Sequence, residues 1–290
     1  LLNSLSPQKI TKLIPEDIGM SGDIYIPNNL SPGKGFKSHF RRLYWLQKFV
    51  PKIMTDLNAK YFFSPLLEAP LFSNINSIVI AYDLIPLRFP SISFLTLYHL
   101  IYIPFVLRQS KVILCISQST ANDLHVFYKV PRHKLFPIKL GFNNKKYYPT
   151  NEVREKFFLI IGRHNPHKNL ERVIRAFAFA KINDFKLVFV GPFDKRFTPR
   201  LLKIIDELNL RHMCEWKGWV DDEEKLLLLN KCHALIIASL WEGFGLPALE
   251  AMACGTPVIA SDRGSLPEVL GKYGYFINRF NIQSIAAAMN

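Results

Sequence analysis

The sequence predicts an α/β chain built as two parallel-sheet domains, and three observations carry that expectation. Short apolar runs end in Gly or Ser, helix-periodic segments alternate with them, and a polar, non-periodic stretch at 142–156 separates two halves. Strands that are apolar throughout, instead of alternating, belong in parallel sheets covered by helices on both faces. In such sheets ligands bind beyond the carboxyl ends of the strands, so strand-end residues are the candidates for chemistry.

In the first half the strand runs are KYFFSP (60–65), SIVIAYD (77–83), KVILCIS (111–117) and LFPIKLG (135–141). Residues 34–54, KGFKSHFRRLYWLQKFVPKIM, mix basic and aromatic side chains at helical spacing. That pattern fits a helix packed on the sheet with a solvated basic face, or one lying in an anionic membrane surface. The second half is more regular. FFLIIG (157–162) precedes a helical NLERVIRAFAFAK (169–181), and KLVFVG (186–191) precedes a helical PRLLKIIDELN. CEWKGWV leads into DDEEKLLLLNKC, whose carboxylates sit where a helix N-terminus favours them. ALIIAS (234–239), TPVIAS (256–261) and YGYFI (273–277) are further strands. The expected boundaries are 1–146 and 147–290.

The bulk properties narrow the function class. The apolar fraction of 49% suits a folded chain and not a disordered one. Cys115, Cys214, Cys232 and Cys254 are scattered in apolar runs with no Cys-x-x-Cys, which points to reduced, buried thiols and a cytoplasmic setting. Charge is uneven: residues 1–150 hold 18 Lys and Arg against 7 Asp and Glu, and residues 151–290 hold 19 against 16. A basic first half calls for anionic partners, including the inner face of a membrane. The uncharged run between Arg88 and Arg108 carries two prolines, hydroxyls and His99, so a buried or interfacial helix is expected there in place of a span. The chain opens on Leu-Leu-Asn without Met or a signal segment, so an incomplete N-terminus is expected.

Three strand-end features converge on one kind of ligand. Gly162 closes a strand, and Arg163 and Lys168 follow in the loop that enters the next helix. A forked guanidinium and an ammonium beside a helix N-terminus suit a diphosphate, although such a loop can equally be solvated surface. Trp219 and Val220 follow another strand; a flat residue with free backbone groups there can flank a planar base, or Trp219 can finish the core. In WEGFGLPALEAMACGTPVIASD (241–262), Gly243 and Gly245, with Phe244 between them, permit close backbone approach, and Leu246 precedes a helix expected from Pro247 through Met252. Glu242 then lies in the loop and Glu250 in the opening turn, near free backbone N–H groups. Two carboxylates, each accepting at two oxygens, match the neighbouring hydroxyls of a ribose and a hexose.

EGFGLPALEAMACGTPVIASDRGSLPEVLG closely resembles the donor-site segment of family 4 retaining glycosyltransferases of the two-domain GT-B architecture. GRHNPHKNL, CISQSTANDL and KLFPIKLGFN are similar to further segments of that family, and AYDLIPLRFP resembles a stretch of its mannosyltransferase-like branch in polysaccharide assembly. The resemblance spans residues 60–278 and, in the second half, implies a truncated C-terminal end as well as the incomplete N-terminus. It implies two Rossmann-like domains facing a central cleft, an acceptor-side domain and then a donor-binding one. It also implies transfer of a hexose from a nucleoside-diphosphate sugar, GDP-mannose or a UDP-sugar, to a saccharide or lipid-linked acceptor, with no metal or other cofactor. By the same resemblance Arg163 and Lys168 hold the diphosphate, and Glu250 binds the ribose. Glu242 contacts the transferred sugar, the Gly243–Leu246 backbone donates to sugar and phosphates, and Trp219 and Val220 flank the base. Tyr82 stands where this branch often has His, and Asp83 is carried as an acceptor-side or catalytic group. The alternatives are an inactive module that binds a sugar nucleotide or polysaccharide, and a sugar-nucleotide epimerase, which lacks the Glu-Gly-Phe-Gly-Leu-Pro arrangement. A nucleic-acid binder would leave Glu242 and Glu250 facing phosphates.

Overall fold

The computed structural model describes residues 10–15, 23–30, 36–71 and 73–290. Two short parallel strands, β1 (Leu13–Pro15) and β2 (Ile24–Ile26), come first. Three-residue strands leave too little sequence for a period to register, which is why the apolar-run pattern passes over them. The expected helix over 34–54 is two helices, α1 (Phe36–Lys48) and α2 (Val50–Asp56); residues 34 and 35 lie outside the described residues. Pro51 sits in the first turn of α2, where its missing N–H and fixed φ favour a fresh helix start over continuation.

Strands β3 (Tyr61–Ser64) and β4 (Asn76–Ala81) pair in parallel, with Tyr61 opposite Asn76. A short α3 (Ile85–Arg88) and the long α4 (Phe94–Gln109) follow. Helix α4 accounts for most of the uncharged run and contains Pro104. It buries Tyr98, Ile103, Val106 and Leu107 but exposes Leu97, Leu100, Ile101 and Phe105, so it is buried along one side only. Among the described residues no helix is long and apolar enough to cross a membrane. Next come β5 (Val112–Cys115), α5 (Gln118–Tyr128) and β6 (Leu135–Pro137), and the sheet runs in the order β3-β4-β5-β6. The expected strand over 135–141 ends early, at Pro137.

The second half alternates without exception: β7 (Phe157–Ile161), α6 (Leu170–Ala180), β8 (Lys186–Val190), α7 (Thr198–Glu207), β9 (Cys214–Gly218), α8 (Asp222–Lys231), β10 (Ala234–Ile237), α9 (Leu246–Ala253), β11 (Val258–Ser261), α10 (Leu266–Leu270), β12 (Tyr275–Ile277) and α11 (Ile282–Ala287). Its sheet is parallel in the order β12-β11-β10-β7-β8-β9. The all-apolar strands are explained by two cores, one on each face. Phe158, Ile160, Leu187, Phe189 and Ile236 pack with Val173, Ile174 and Phe177 of α6 and Ile204 and Ile205 of α7. The alternate residues Phe157, Leu159, Val188, Leu235 and Ile237 pack with Leu229 of α8, Ala248 and Ala251 of α9, and Leu266 of α10. Side chains two apart point the same way from a strand, so both faces need apolar residues and the run reads as continuous.

Strand order positions the site. From β7 the chain builds outward through β8 to β9, then returns to the other side of β7 to start β10. The crevice outside the carboxyl ends of β7 and β10 is therefore a topological switch point. Two compact units divide the chain: Leu1–Val79 with Ile101–Ile113, and Ile80–Leu100 with Leu114–Asn290. All four cysteines are free, three of them buried and Cys214 partly so. Burial pushes the Cys115, Cys214 and Cys232 thiols up to about 12, so they sit as inert apolar side chains.

Candidate active site

The end of β7 contributes Gly162, Arg163 and Lys168 to the switch-point crevice, and the end of β10 contributes Ser239 and Glu242. Glu242 is 8% exposed, so its carboxylate is not surface decoration. Its Oε1 accepts from Lys168 Nζ at 2.6 Å and from Ser239 Oγ at 2.5 Å. A buried carboxylate is tolerated when it has an opposite charge and hydrogen-bond donors, and this one has both. The two loops are also joined through their backbones, Leu240 N–H donating to His167 O at 2.7 Å. Asn169, directly after Lys168, adopts φ +61° and donates from Nδ2 to Ala238 O and Arg279 O at 2.9 and 2.8 Å. Lys168 thus extends from a loop pinned at both ends. Burial, with the Lys168 charge second, holds the His167 imidazole down to about 4. Arg163 is exposed at the crevice rim and makes no ion pair among the described residues.

The loop after Glu242 is held against the end of β4. A Cβ placed on Gly243 would lie 2.8 Å from both Asp83 Cβ and Tyr82 O, so only glycine allows this approach. Asp83 Oδ1 accepts from Ile85 N–H at 3.0 Å. Burial raises the Asp83 carboxyl above its ordinary range, against the lowering effect of that hydrogen bond. Behind the loop, Ser265 donates to Glu242 O from its amide at 3.2 Å and its hydroxyl at 3.1 Å. Gly245, at φ +91°, ends the loop as the N-cap of α9, and Pro247 falls in the first turn. Phe244 is buried and Leu246 exposed.

Glu250 departs from expectation in one respect. It is the fifth residue of α9, one turn past the free N–H groups, and its Oε2 lies 2.6 Å from Lys225 Nζ. The carboxylate is 9% exposed, and Lys225 also lies over the Tyr147 ring at 5.0 Å. Lys225 was not legible as a site residue, because a lysine in DEEKLLLLNK reads as part of a solvated helix face. Ser239 was legible only as a strand end. Trp219 does not finish the core: it is 79% exposed beside the half-buried Val220.

These strand-end groups can hold an anion at Arg163 and Lys168 and accept hydroxyl hydrogen bonds at Glu242 and Glu250. The MMP alpha-(1->4)-mannosyltransferase of Mycolicibacterium hassiacum is 33% identical to this chain over 171 residues, 58% of this chain and 41% of the relative. The O-antigen chain mannosyltransferase RfbU of Salmonella typhimurium is 27% identical over 203 residues, 70% of this chain and 57% of the relative. The chain thus spans about half the length of the curated relatives it matches. The structure of Anabaena HepE in complex with UDP and glucose superposes with a TM-score of 0.69 at 18% identity, covering 82% of this chain and 70% of that one. That likeness shows the fold, an α/β architecture of parallel sheets consistent with GT-B. Residues 144–290, just over half of the chain, match the family described as Glycosyl transferases group 1, and the chain belongs to that family.

Proposed function

We propose that the chain is a retaining, metal-independent hexosyltransferase. On this reading it moves a sugar from a nucleoside diphosphate, GDP-mannose or a UDP-sugar, to a saccharide or lipid-linked acceptor in glycan assembly. The observation that carries the reading is the buried Glu242 carboxylate, held by Lys168 and Ser239 at the switch-point crevice. Arg163 and Lys168 hold the diphosphate and neutralise the charge that grows on it as the sugar–phosphate bond breaks. Glu242 accepts from hydroxyls of the transferred sugar, and Glu250 accepts from the ribose. The backbone of Gly243, Phe244, Gly245 and Leu246 donates to sugar and phosphates, and Trp219 and Val220 flank the base. Asp83, its carboxyl raised by burial, acts on the acceptor side. Residues 1–146 form the acceptor-side domain and 147–290 the donor domain. The named mannosyltransferase relatives support a hexose donor, and the UDP in the HepE complex supports a nucleotide-sugar site.

Calorimetric titration with UDP, GDP, UDP-glucose and GDP-mannose tests this. Binding of at least one of them is expected, weakened in Arg163→Ala and Glu250→Ala; unchanged affinity in both variants would reject the site. An inactive sugar-nucleotide-binding module is the second reading, favoured by the exposed Tyr82 where the related branch often has His. Sugar release from the bound donor separates the two. The basic first half and the exposed Lys37, Arg41, Tyr44 and Lys48 on α1 support peripheral contact with an anionic membrane. Equal flotation with anionic and neutral liposomes would remove that part.

A further inference from the structure

Arg88, Asp123 and Trp241 form a cluster that the donor-site reading leaves unused. Arg88 Nε donates to Asp123 Oδ2 at 2.9 Å and Nη2 donates to Oδ1 at 2.5 Å, a forked pair in which Asp123 is 3% exposed. The guanidinium carbon lies 3.3 Å from the centroid of the Trp241 ring and 5.4 Å from that of Phe127. The carboxylate therefore fixes the edge of the guanidinium while the indole covers its face, a geometry available to a planar guanidinium and not to an ammonium. Trp241 immediately precedes Glu242. One residue further on, Gly243 abuts Tyr82 and Asp83, and Phe89 stacks on His167 with centroids 5.9 Å apart and planes 24° apart. Segment 82–89 thus touches both loops that hold the Lys168–Glu242 pair, and all of these residues belong to the larger unit.

We infer that Arg88 is a positioning residue: forked to Asp123 and stacked on Trp241, it fixes the backbone from which the Glu242 carboxylate reaches the transferred sugar. The inference rests on the donor-site reading proposed above. An ion pair that served stability alone would move the melting temperature without favouring one ligand over another. A positioning role for Glu242 instead acts on the sugar and spares the nucleoside diphosphate, which Arg163, Lys168 and Glu250 hold.

The test compares binding of UDP with UDP-glucose, and of GDP with GDP-mannose, by calorimetry on the whole chain. Glu242→Ala frees Lys168 for the phosphates of both ligands alike, so it is expected to lower sugar-nucleotide affinity relative to nucleoside-diphosphate affinity by about tenfold. Arg88→Lys and Trp241→Ala should reproduce that selective loss, and Trp241→Phe, which retains a stacking face, should recover most of it. The Arg88→Lys/Glu242→Ala double variant should lose no more than Glu242→Ala alone, since the two act through one contact. If Glu242→Ala is selective while Arg88→Lys is neutral, or weakens both ligands alike, the positioning role is wrong and the donor site stands. If Glu242→Ala is not selective, the donor-site reading falls and the inference with it. Should Arg88→Lys fail to fold, the contrast between Trp241→Ala and Trp241→Phe decides, and equal affinities in those two overturn the inference.

Discussion

Gly243→Ala is the sharpest single perturbation the structure offers. The added methyl would sit 2.8 Å from Tyr82 O, 2.8 Å from Asp83 Cβ and 3.6 Å from Tyr82 C. None of these is the free end of a flexible side chain. Tyr82 O already accepts from Thr120 Oγ1 at 3.0 Å, and Asp83 is held to Ile85 N–H. The strand end cannot swing aside, so the Gly243 loop must retreat by about half an ångström to restore ordinary contact. Overpacking of this kind costs about 1–3 kcal/mol. For a chain of 290 residues that corresponds to a fall in melting temperature of about 2–5 °C. The retreat carries Glu242 with it, because the two residues are adjacent, and it strains the hydrogen bonds that Ser265 donates to Glu242 O. Misplacement on that scale is expected to weaken sugar-nucleotide binding about tenfold.

Differential scanning calorimetry and titration with UDP-glucose and GDP-mannose read both effects. Gly141→Ala is the control, since a Cβ there meets nothing within 4 Å. A Gly243→Ala protein that melts within about 1 °C of the parent and binds with unchanged affinity would refute the claim that this loop is wedged against β4.

Three further outcomes follow from the same contacts. Glu250→Ala strips the counter-ion from Lys225, whose side chain is 19% exposed, and should cost about 1–3 kcal/mol in urea unfolding besides weakening nucleoside-diphosphate binding; Glu250→Gln retains the shape and should unfold closer to the parent. Lys168→Ala should reduce diphosphate affinity about tenfold, and Lys168→Arg should not restore it, because a guanidinium cannot occupy the ammonium's place beside Glu242 Oε1 and Gly162; full recovery in a titration would contradict this. Burial holds His99 and His167 down to about 4 from 6.5, so the folded chain binds fewer protons than the unfolded chain between those values. Stability should fall as pH drops through that window and level off above it, with Asp83, raised by burial, opposing the trend near its acid end. Urea midpoints at about pH 7.5 and about pH 5 measure the slope, and a His167→Asn variant that keeps the parent's full slope would show the assignment to be wrong.

The central strands β7, β8, β10 and β11 were legible because each is a short apolar run closed by Gly or Ser, and burial on both faces leaves no alternation to blur the signal. Helix starts were legible where chemistry marks them, as at Asp221, whose side chain accepts from Glu224 N–H at 2.8 Å, and at Pro247. The meeting of Lys168 and Glu242 was not readable from spacing. It depends on β10 pairing with β7, 74 positions away in the chain for this contact; the strand-end argument brought the two loops to one ligand but did not pair these two side chains. Arg88 was read as the edge of an uncharged run, and its stacking on Trp241 has no local signature. The break at Phe49 is different, because Pro51 announced it and the basic–aromatic periodicity across the stretch overrode the sign.

Charge accounting at the crevice explains why the two carboxylates need such different surroundings. Glu242 is compensated by Lys168 from a neighbouring strand-end loop, and Glu250 by Lys225 from α8. Each pair is locally neutral, and Arg163 contributes one further positive charge at the rim. A diphosphate brings more negative charge than one guanidinium balances, so on the proposed reading Lys168 must be shared between Glu242 and phosphate. Ser239 then has a specific purpose: it keeps one hydrogen bond on Glu242 Oε1 when the ammonium turns away. The remaining compensation has to come from backbone N–H groups at the start of α9, where the peptide dipoles converge and Gly245 at φ +91° turns the chain to aim them. That requirement places the demand for exact backbone geometry on residues 243–246, of which Gly243 abuts Tyr82 and Asp83, and it accounts for a glycine at 243 where any side chain would push the amides out of line.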